Sequence, residues 1–426
     1  MRLSVLLDWL PLLAAAAIPN EPRGFLQLPV KTQESETNKR QLTPRQIQLG
    51  IEQKDIQSFI NLTIGTPPQP QSLLFDLGSW STWVNPDCSE LQNGREFCQN
   101  LPRFQANNSA TIEDIGFPPQ EIHYGSGRVV AATKSDKIGL GGVKVDKQLF
   151  AIATESTNMM AGIFGAGIDL SYRYFGEPRY MPVFERLKSQ GFIKRTLFGL
   201  DLRGPGDDGG SLTIGGIDLK KFTGSLEKRP IVRARRPSTR LSYTIRLDDI
   251  APPGDRGNGS LTAAPSQQKP LEVTLDSGSS FNVLPSAVVQ EIMKAFPSAE
   301  PSVLSFPEHN FTTYKVDCAL QNRTDTIDLT FGGLTLKSSY RDLVYAPREG
   351  EQHCTSAFAS NSLLEARGNN ILGAPTLRSA YMVADWQELT VYLGQSSDCG
   401  SEPLPIDQET TIESIADTFI CEVLRR

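Results

Sequence analysis

A mainly β fold of two related lobes with an active-site cleft between them is the fold class this sequence predicts. Two observations predict it. Short apolar runs are separated throughout by 35 Gly and 29 Pro, and one pair of motifs occurs twice in the same order. At 426 residues, 39% apolar and 21% charged, the chain has the hydrophobe for a sizeable core and too much of it for disorder. Collagen, coiled coil and polytopic membrane protein are excluded. With 42 Lys and Arg against 48 Asp and Glu, the net charge is -6, so no general positive field exists to hold nucleic acid or an anionic membrane. The three His, at 123, 309 and 353, lie far apart and no Cys-His cluster has zinc-ligand spacing. Neither a metal centre, a Ser-His nucleophile nor a cofactor is expected.

Taken in order, residues 1–17 read as a secretory signal: Arg2, an apolar stretch rich in Leu, then Ala14 to Ala17 as a cleavable end, with Asp8 interrupting the stretch. Residues 18–55 are polar, Gln-rich and without clear apolar periodicity, which reads as a leader or pro-segment, with Lys39-Arg40 as a dibasic cut site within it. From Phe59 the pattern becomes β-type, in runs such as FINLTIG, SLLFDLG, STWVNP and RVVAATKSDKIGLGG. The expected lobes are 56–228 and 229–396, with a tail at 397–426 to which the sequence assigns no role. Two peripheral helices are expected, MPVFERLKSQG (Met181 to Gly191), closing on Gly, and PSAVVQEIMKAF (Pro285 to Phe296), opening on Pro and Ser. The Pro-, Gly- and Ser-rich stretch 251–270 reads as an exposed loop. The basic run holding Arg229, Arg233, Arg235, Arg236 and Arg240 reads as a solvated loop, or as a cut site at Arg235-Arg236 giving two chains.

Six Cys, at 88, 98, 318, 354, 399 and 421, are an even number behind a signal and fit disulfides in an oxidising compartment, with the pairing open. Sequons at Asn61, Asn107, Asn258, Asn310 and Asn322 agree with passage through the secretory pathway. The expected location is extracellular, with vacuole or cell wall as variants. After the signal, no segment reaches the roughly 18 apolar residues of a membrane span.

The duplication carries the functional argument. LLFDLGSWSTWVNP surrounds Asp76 and VTLDSGSSFNVLP surrounds Asp276, and 276 minus 76 places the two 200 residues apart. Each is followed by a Gly-Ala element, AGIFGAG at 161–167 and NNILGAP at 369–375. One Asp-x-Gly-Ser is an ordinary turn. Two, each after an apolar strand and each followed by the same second element, describe two lobes that present a carboxylate apiece. Facing one another in a cleft, such carboxylates cannot both ionise, so they share a proton, and one serves as base while the other serves as acid. A water so activated attacks a peptide carbonyl without metal or cofactor, and the shared proton implies an acidic optimum. Between the motifs, Tyr124-Gly125-Ser126-Gly127 tips an apolar hairpin, a candidate lid.

These residues resemble the pepsin-like aspartic endopeptidases over nearly all of Phe59 to Gly394. INLTIGTPPQ is similar to the family's strand before its first Asp, DLGSWSTWV and LDSGSS to its two active-site motifs, YGSG to its flap, and ILGAPTLRSAYMVADWQELTVYLG to its C-terminal strands. The resemblance implies the bilobal acid-protease fold, Asp76 and Asp276 as the dyad, and Tyr124 with Gly125 as the flap. It implies Trp83 as the indole behind Tyr124, and Ser79 and Ser279 as hydroxyls on the two carboxylates. Gly78 and Gly278 complete the turns, and Ser277 locks the lobes. A proton shared by the pair is the established behaviour of that family. It further implies disulfides Cys88–Cys98 and Cys318–Cys354, leaving Cys399 and Cys421 for the tail. The leader and the Ser-bearing second motif look most like fungal secreted or yapsin-type members. The tail CEVLRR is not that of a lipid-anchored member. Peptides or proteins are the implied partners of a monomer.

Leu77 departs from the pattern. The family has Thr or Ser there, matching Ser277, and a leucine can make no hydrogen bond to the other lobe; an unsatisfied buried partner costs about 1 to 3 kcal/mol. Trp80 likewise stands where the family has a small residue, so the surroundings are repacked. Two other readings follow from the sequence: a peptide-binding shell with weak or no turnover because of Leu77, and a two-carboxylate carbohydrate hydrolase, which leaves Tyr124 and the flap unexplained.

Overall fold

The computed structural model describes residues 26–33, 57–91, 94–171, 180–204, 210–233, 238–253, 270–305, 310–347 and 352–415. The signal at 1–17, Lys39-Arg40, Arg235-Arg236, Asn258, Cys421 and most of the 251–270 loop lie outside them. The chain is built of strands, as its alternating apolar runs require, in the two-lobed arrangement the sequence predicts. SLLFD ends the strand Gln69–Asp76, where Leu73, Leu74 and Phe75 are buried. LEVTLD forms the strand Leu271–Asp276, burying Val273 and Leu275.

One sheet of fourteen strands passes through both lobes. Its junction is the antiparallel pair Leu197–Asp201 with Ala380–Asp385, in register from Leu197 opposite Asp385 to Asp201 opposite Tyr381. Phe222–Pro230, across which the expected lobe boundary runs, pairs with Thr390–Ser396. The segment read as leader contributes a strand of its own. Leu26–Gln33 lies between Gly210–Ile214 and Gln57–Ile64. The alternation Leu26, Leu28, Val30 is short enough to be lost in a polar stretch, and its partners are supplied from far along the chain.

Both predicted helices form, shorter at their ends, as Val183–Ser189 and Ser286–Met293. Gly191, at φ +80°, takes the left-handed conformation that ends the first. They lie outside the sheets, yet neither is peripheral to the core. Phe184 is buried and its ring meets Phe164, Phe198 and Trp386, while Val288, Val289 and Ile292 bury the face of the second helix. The tail also has a structural part. Pro403–Pro405 pairs with Gly216–Asp218, and Ile406 and Ile412 pack on Leu197, Ile217 and Tyr392. Disulfides join Cys88 to Cys98 and Cys318 to Cys354, as the resemblance implied, and Cys399 is also disulfide-bonded. The described sequon residues Asn61, Asn107, Asn310 and Asn322 are all exposed.

Behind the junction, Arg195 is buried against Asp385, its Nη2 donating to Oδ2 and its Nη1 to Thr410 O at 2.9 Å. The guanidinium thus pins the tail to a strand of the second lobe. Removing one partner of such a pair strands the other charge in the core, which costs about 3 to 5 kcal/mol. Arg195→Ala should therefore lower unfolding free energy in urea by about that much. A change below about 1 kcal/mol would show that Asp385 needs no counter-charge.

Candidate active site

The duplicated motifs fold into duplicated geometry. Gln69–Asp76 runs parallel to Ile163–Gly165 with Asp76 opposite Gly165, and Leu271–Asp276 runs parallel to Asn370–Gly373 with Asp276 opposite Gly373. After each Asp the chain leaves the sheet in a loop and returns as a short strand antiparallel to the same Gly-Ala element, Trp83 opposite Ile163 and Val283 opposite Ile371. The 87- and 95-residue spacings seen in the sequence, 163 minus 76 and 371 minus 276, are the detours needed before each Gly-Ala element can return beside its Asp strand.

Each loop cradles the carboxylate of the other. A Cβ on Gly78 would lie 2.7 Å from both Asp276 carboxylate oxygens, and one on Gly278 would run into Asp76 Oδ1. Glycine is required at both positions because the opposite lobe fills the space a side chain would take. Each backbone also serves its own carboxylate, Gly78 N–H donating to Asp76 Oδ1 at 2.8 Å and Gly278 N–H to Asp276 Oδ1 at 2.9 Å. Asp76 is buried and Asp276 half-buried, and their carboxyl groups lie close enough to act on one another. Burial pushes both pKa values up, and the charge of Asp76 pushes Asp276 further. Ser79 first, then Gly78 N–H and the Asp276 side chain, restrain the rise of Asp76.

The remaining predicted residues surround this pair unevenly. Ser277 Oγ donates to Phe75 O at 2.7 Å and accepts from Leu77 N at 3.1 Å, tying the second loop to the first lobe. Ser79 Oγ is buried against the Asp76 carboxylate and the Tyr124 phenol and lowers the pKa of each, without a well-aligned hydrogen bond. Ser279 differs from the expectation. Its hydroxyl donates to Phe281 O at 2.9 Å, and its backbone, not its side chain, acts on Asp276. A serine hydroxyl in a turn finds the carbonyl two residues on as readily as a carboxylate.

The flap is the hairpin of Gln120–His123 and Arg128–Leu140, turned at Tyr124 to Gly127, where Tyr124 N–H donates to Gly127 O at 2.7 Å. Gly125 and Ser126 are exposed at its tip, and Asn158 Nδ2 holds Ser126 O at 2.5 Å. Trp83 Nε1–H donates to Tyr124 Oη at 2.8 Å. Burial first, then the charge of Asp76, holds the Tyr124 phenol well above its usual pKa, so it stays neutral over the dyad. The sequence did not disclose Tyr180, whose hydroxyl accepts from Thr82 N at 3.0 Å, nor the cross-lobe bond from Tyr243 Oη to Ala166 O at 2.6 Å. Both are single tyrosines whose partners lie far away in sequence, backbone atoms and, for Tyr243, the Trp386 indole as well, which no local motif can reveal. Among the described residues no three His, Cys, Asp or Glu side chains are grouped to hold a metal.

Two predictions follow from this geometry. Gly78→Ala forces the carboxylates apart and should lower peptide turnover at least about 100-fold, since a displacement near 1 Å has that effect. Undiminished turnover would show that the carboxylates are not the reacting groups. Asp276→Asn should be more thermostable than the parent at neutral pH. A raised carboxyl pKa stabilises the fold below the unfolded value, and the advantage is lost as pH rises through the folded pKa. Asparagine is indifferent to that loss, so its gain in melting temperature should shrink as the pH is lowered. A gain that grows on acidification would contradict the assigned shift.

A family model for eukaryotic aspartyl proteases matches residues 57–396. Secreted aspartic protease 1 of Candida albicans is 29% identical over 400 residues, covering 90% of this chain and 93% of the relative. Candidapepsin-3 of the same species is 27% identical, over 84% of this chain and 83% of its own. Aspartic proteinase yapsin-3 of Saccharomyces cerevisiae is 26% identical, over 84% of this chain and 70% of its own.

Proposed function

The chain belongs to the eukaryotic aspartyl protease family, and from that premise we propose that it is a secreted endopeptidase working at acidic pH through Asp76 and Asp276. One observation carries the reading: each carboxylate occupies the space left by the glycine of the other loop. The ionised Asp76 takes a proton from water as the water oxygen attacks the peptide carbonyl carbon, and Asp276 gives its proton to the carbonyl oxygen. On collapse of the tetrahedral diol the C–N bond breaks, the amine nitrogen receives a proton, and the pair again holds one. Tyr124, neutral and braced by Trp83, covers the substrate and limits water access. Acidic conditions favour the singly protonated pair because, once pH exceeds the raised pKa of Asp276, the acid member is lost.

The partners proposed are peptides and proteins, acted on by a monomer. A signal at 1–17, a removable leader before the first lobe and glycans on the exposed sequons are the maturation proposed with it; the secreted relatives support that route. Among the described residues no helix is long and apolar enough to cross a membrane.

Leu77 favours a second reading, a peptide-binding shell with little turnover. It is buried in the main core and carries no hydroxyl to return the bonds made by Ser277. Incubation of a mixed peptide pool with the processed protein at about pH 4, beside Asp276→Asn, separates the two. Cleavage that disappears in the variant is the expected result. Absence of cleavage by folded protein, together with turnover gained in Leu77→Thr, would establish the binding shell instead.

A further inference from the structure

We infer that Trp80 is a positioning residue, and that its indole ties the first active-site loop to the opposite lobe in place of the hydroxyl that position 77 lacks. The inference rests on the reading of Asp76 and Asp276 as the working pair and adds to it a residue that touches neither.

The two loops are related by equal registers, so position 77 mirrors 277 and position 80 mirrors 280. Ser277 makes two side-chain bonds across the seam. Leu77 can make none back. On the same loop, Trp80 Nε1–H donates to Leu241 O at 3.2 Å, from the first lobe to the second. Its mirror Ser280 takes part in no such crossing; its carbonyl accepts from Tyr345 Oη within its own lobe. The extra tie is thus present on the loop that lost its hydroxyl and absent from the loop that kept it.

The indole is held rather than merely placed. One side of the ring lies against Gly167, where a Cβ would be 2.8 Å from Cδ1. The Arg240 guanidinium sits 5.8 Å from the ring centroid, and its Nε donates to Asp169 Oδ2 at 3.0 Å. Asp169 is fully buried and belongs to the first lobe, while Arg240 belongs to the basic run that the sequence left without a function. The acceptor carbonyl is fixed as well, because Ile168 and Asp169 pair antiparallel with Leu241 and Arg240. Immediately before Trp80, the carbonyl of Ser79 accepts from Gly167 N at 2.8 Å. A shift of the indole is therefore passed directly to the segment that holds Gly78 against Asp276.

The test is a cycle of four proteins: parent, Trp80→Phe, Leu77→Thr and the double variant, with kcat and KM for one peptide at about pH 4 and the thermal midpoint of each. Phenylalanine keeps the ring and removes the donor. Trp80→Phe is expected to lower kcat about ten-fold with KM within about two-fold, as suits loss of one half-buried hydrogen bond that acts on geometry. In the Leu77→Thr background the same change should cost less than about two-fold, because the restored hydroxyl now holds the loop. An equal loss in both backgrounds, or a rise in KM with kcat unchanged, would overturn the inference, the latter marking Trp80 as a substrate contact. If the parent proves to have no peptidase activity, the dyad reading fails and the thermal midpoints decide the tie on their own. A drop on Trp80→Phe that Leu77→Thr relieves supports it, and an equal drop in both backgrounds refutes it.

Discussion

Two carboxyl groups set against one another across the seam of the lobes, one buried and one half-buried, are the constraint on which the surrounding structure depends. An ionised carboxylate in a site of low polarity is strongly disfavoured, and a second beside it more so. The pair persists because backbone N–H groups at Gly78 and Gly278 stand in for lost water, and because strands on both sides fix where each group can be. Neither lobe can retreat from the other without breaking the sheet at Leu197–Asp201 and Ala380–Asp385.

Two-fold likeness of the lobes ends at the loops. The second loop reaches across through Ser277, and the first through an indole. The cover likewise comes from one lobe, as the Gln120–His123 hairpin with Trp83 behind it. Asymmetry of this kind suits a pair in which the carboxyls differ: burial raises both pKa values, and the charge of Asp76 raises that of Asp276 further. Duplicated backbones give equal positions, and the side chains around them assign unequal roles.

Much of the site was legible because it is local and written twice. Asp-x-Gly-Ser after an apolar strand, and a Gly-Ala element at matched distance, need no knowledge of tertiary structure, and the flap declares itself by two glycines beside a tyrosine. Leu77 was legible as an irregularity. What answers it was not, since the partner of Trp80 is a carbonyl, and any residue has one. The orientation of the Ser279 hydroxyl was hidden for a similar reason, two acceptors lying within its reach. In the fold, the strand Leu26–Gln33 escaped notice because its alternation is brief and its neighbours are remote, and the tail because its value lies in Arg195 and Leu197, not in its own pattern.

The sheet that joins the lobes has a consequence for how the protein is made. Leu197–Asp201 finds its second neighbour in Ala380–Asp385, and that strand in turn needs Thr390–Ser396, near the end of the chain. Pairings so remote are slow to form, since the intervening loop must close before any contact rewards it. A chain emerging from synthesis would expose the edge of Leu197–Asp201 until the remote strand Ala380–Asp385 arrived, and an open edge is a template for association with other chains. Folding of this molecule is therefore a late and collective event, most exposed to aggregation while its first lobe waits for its second.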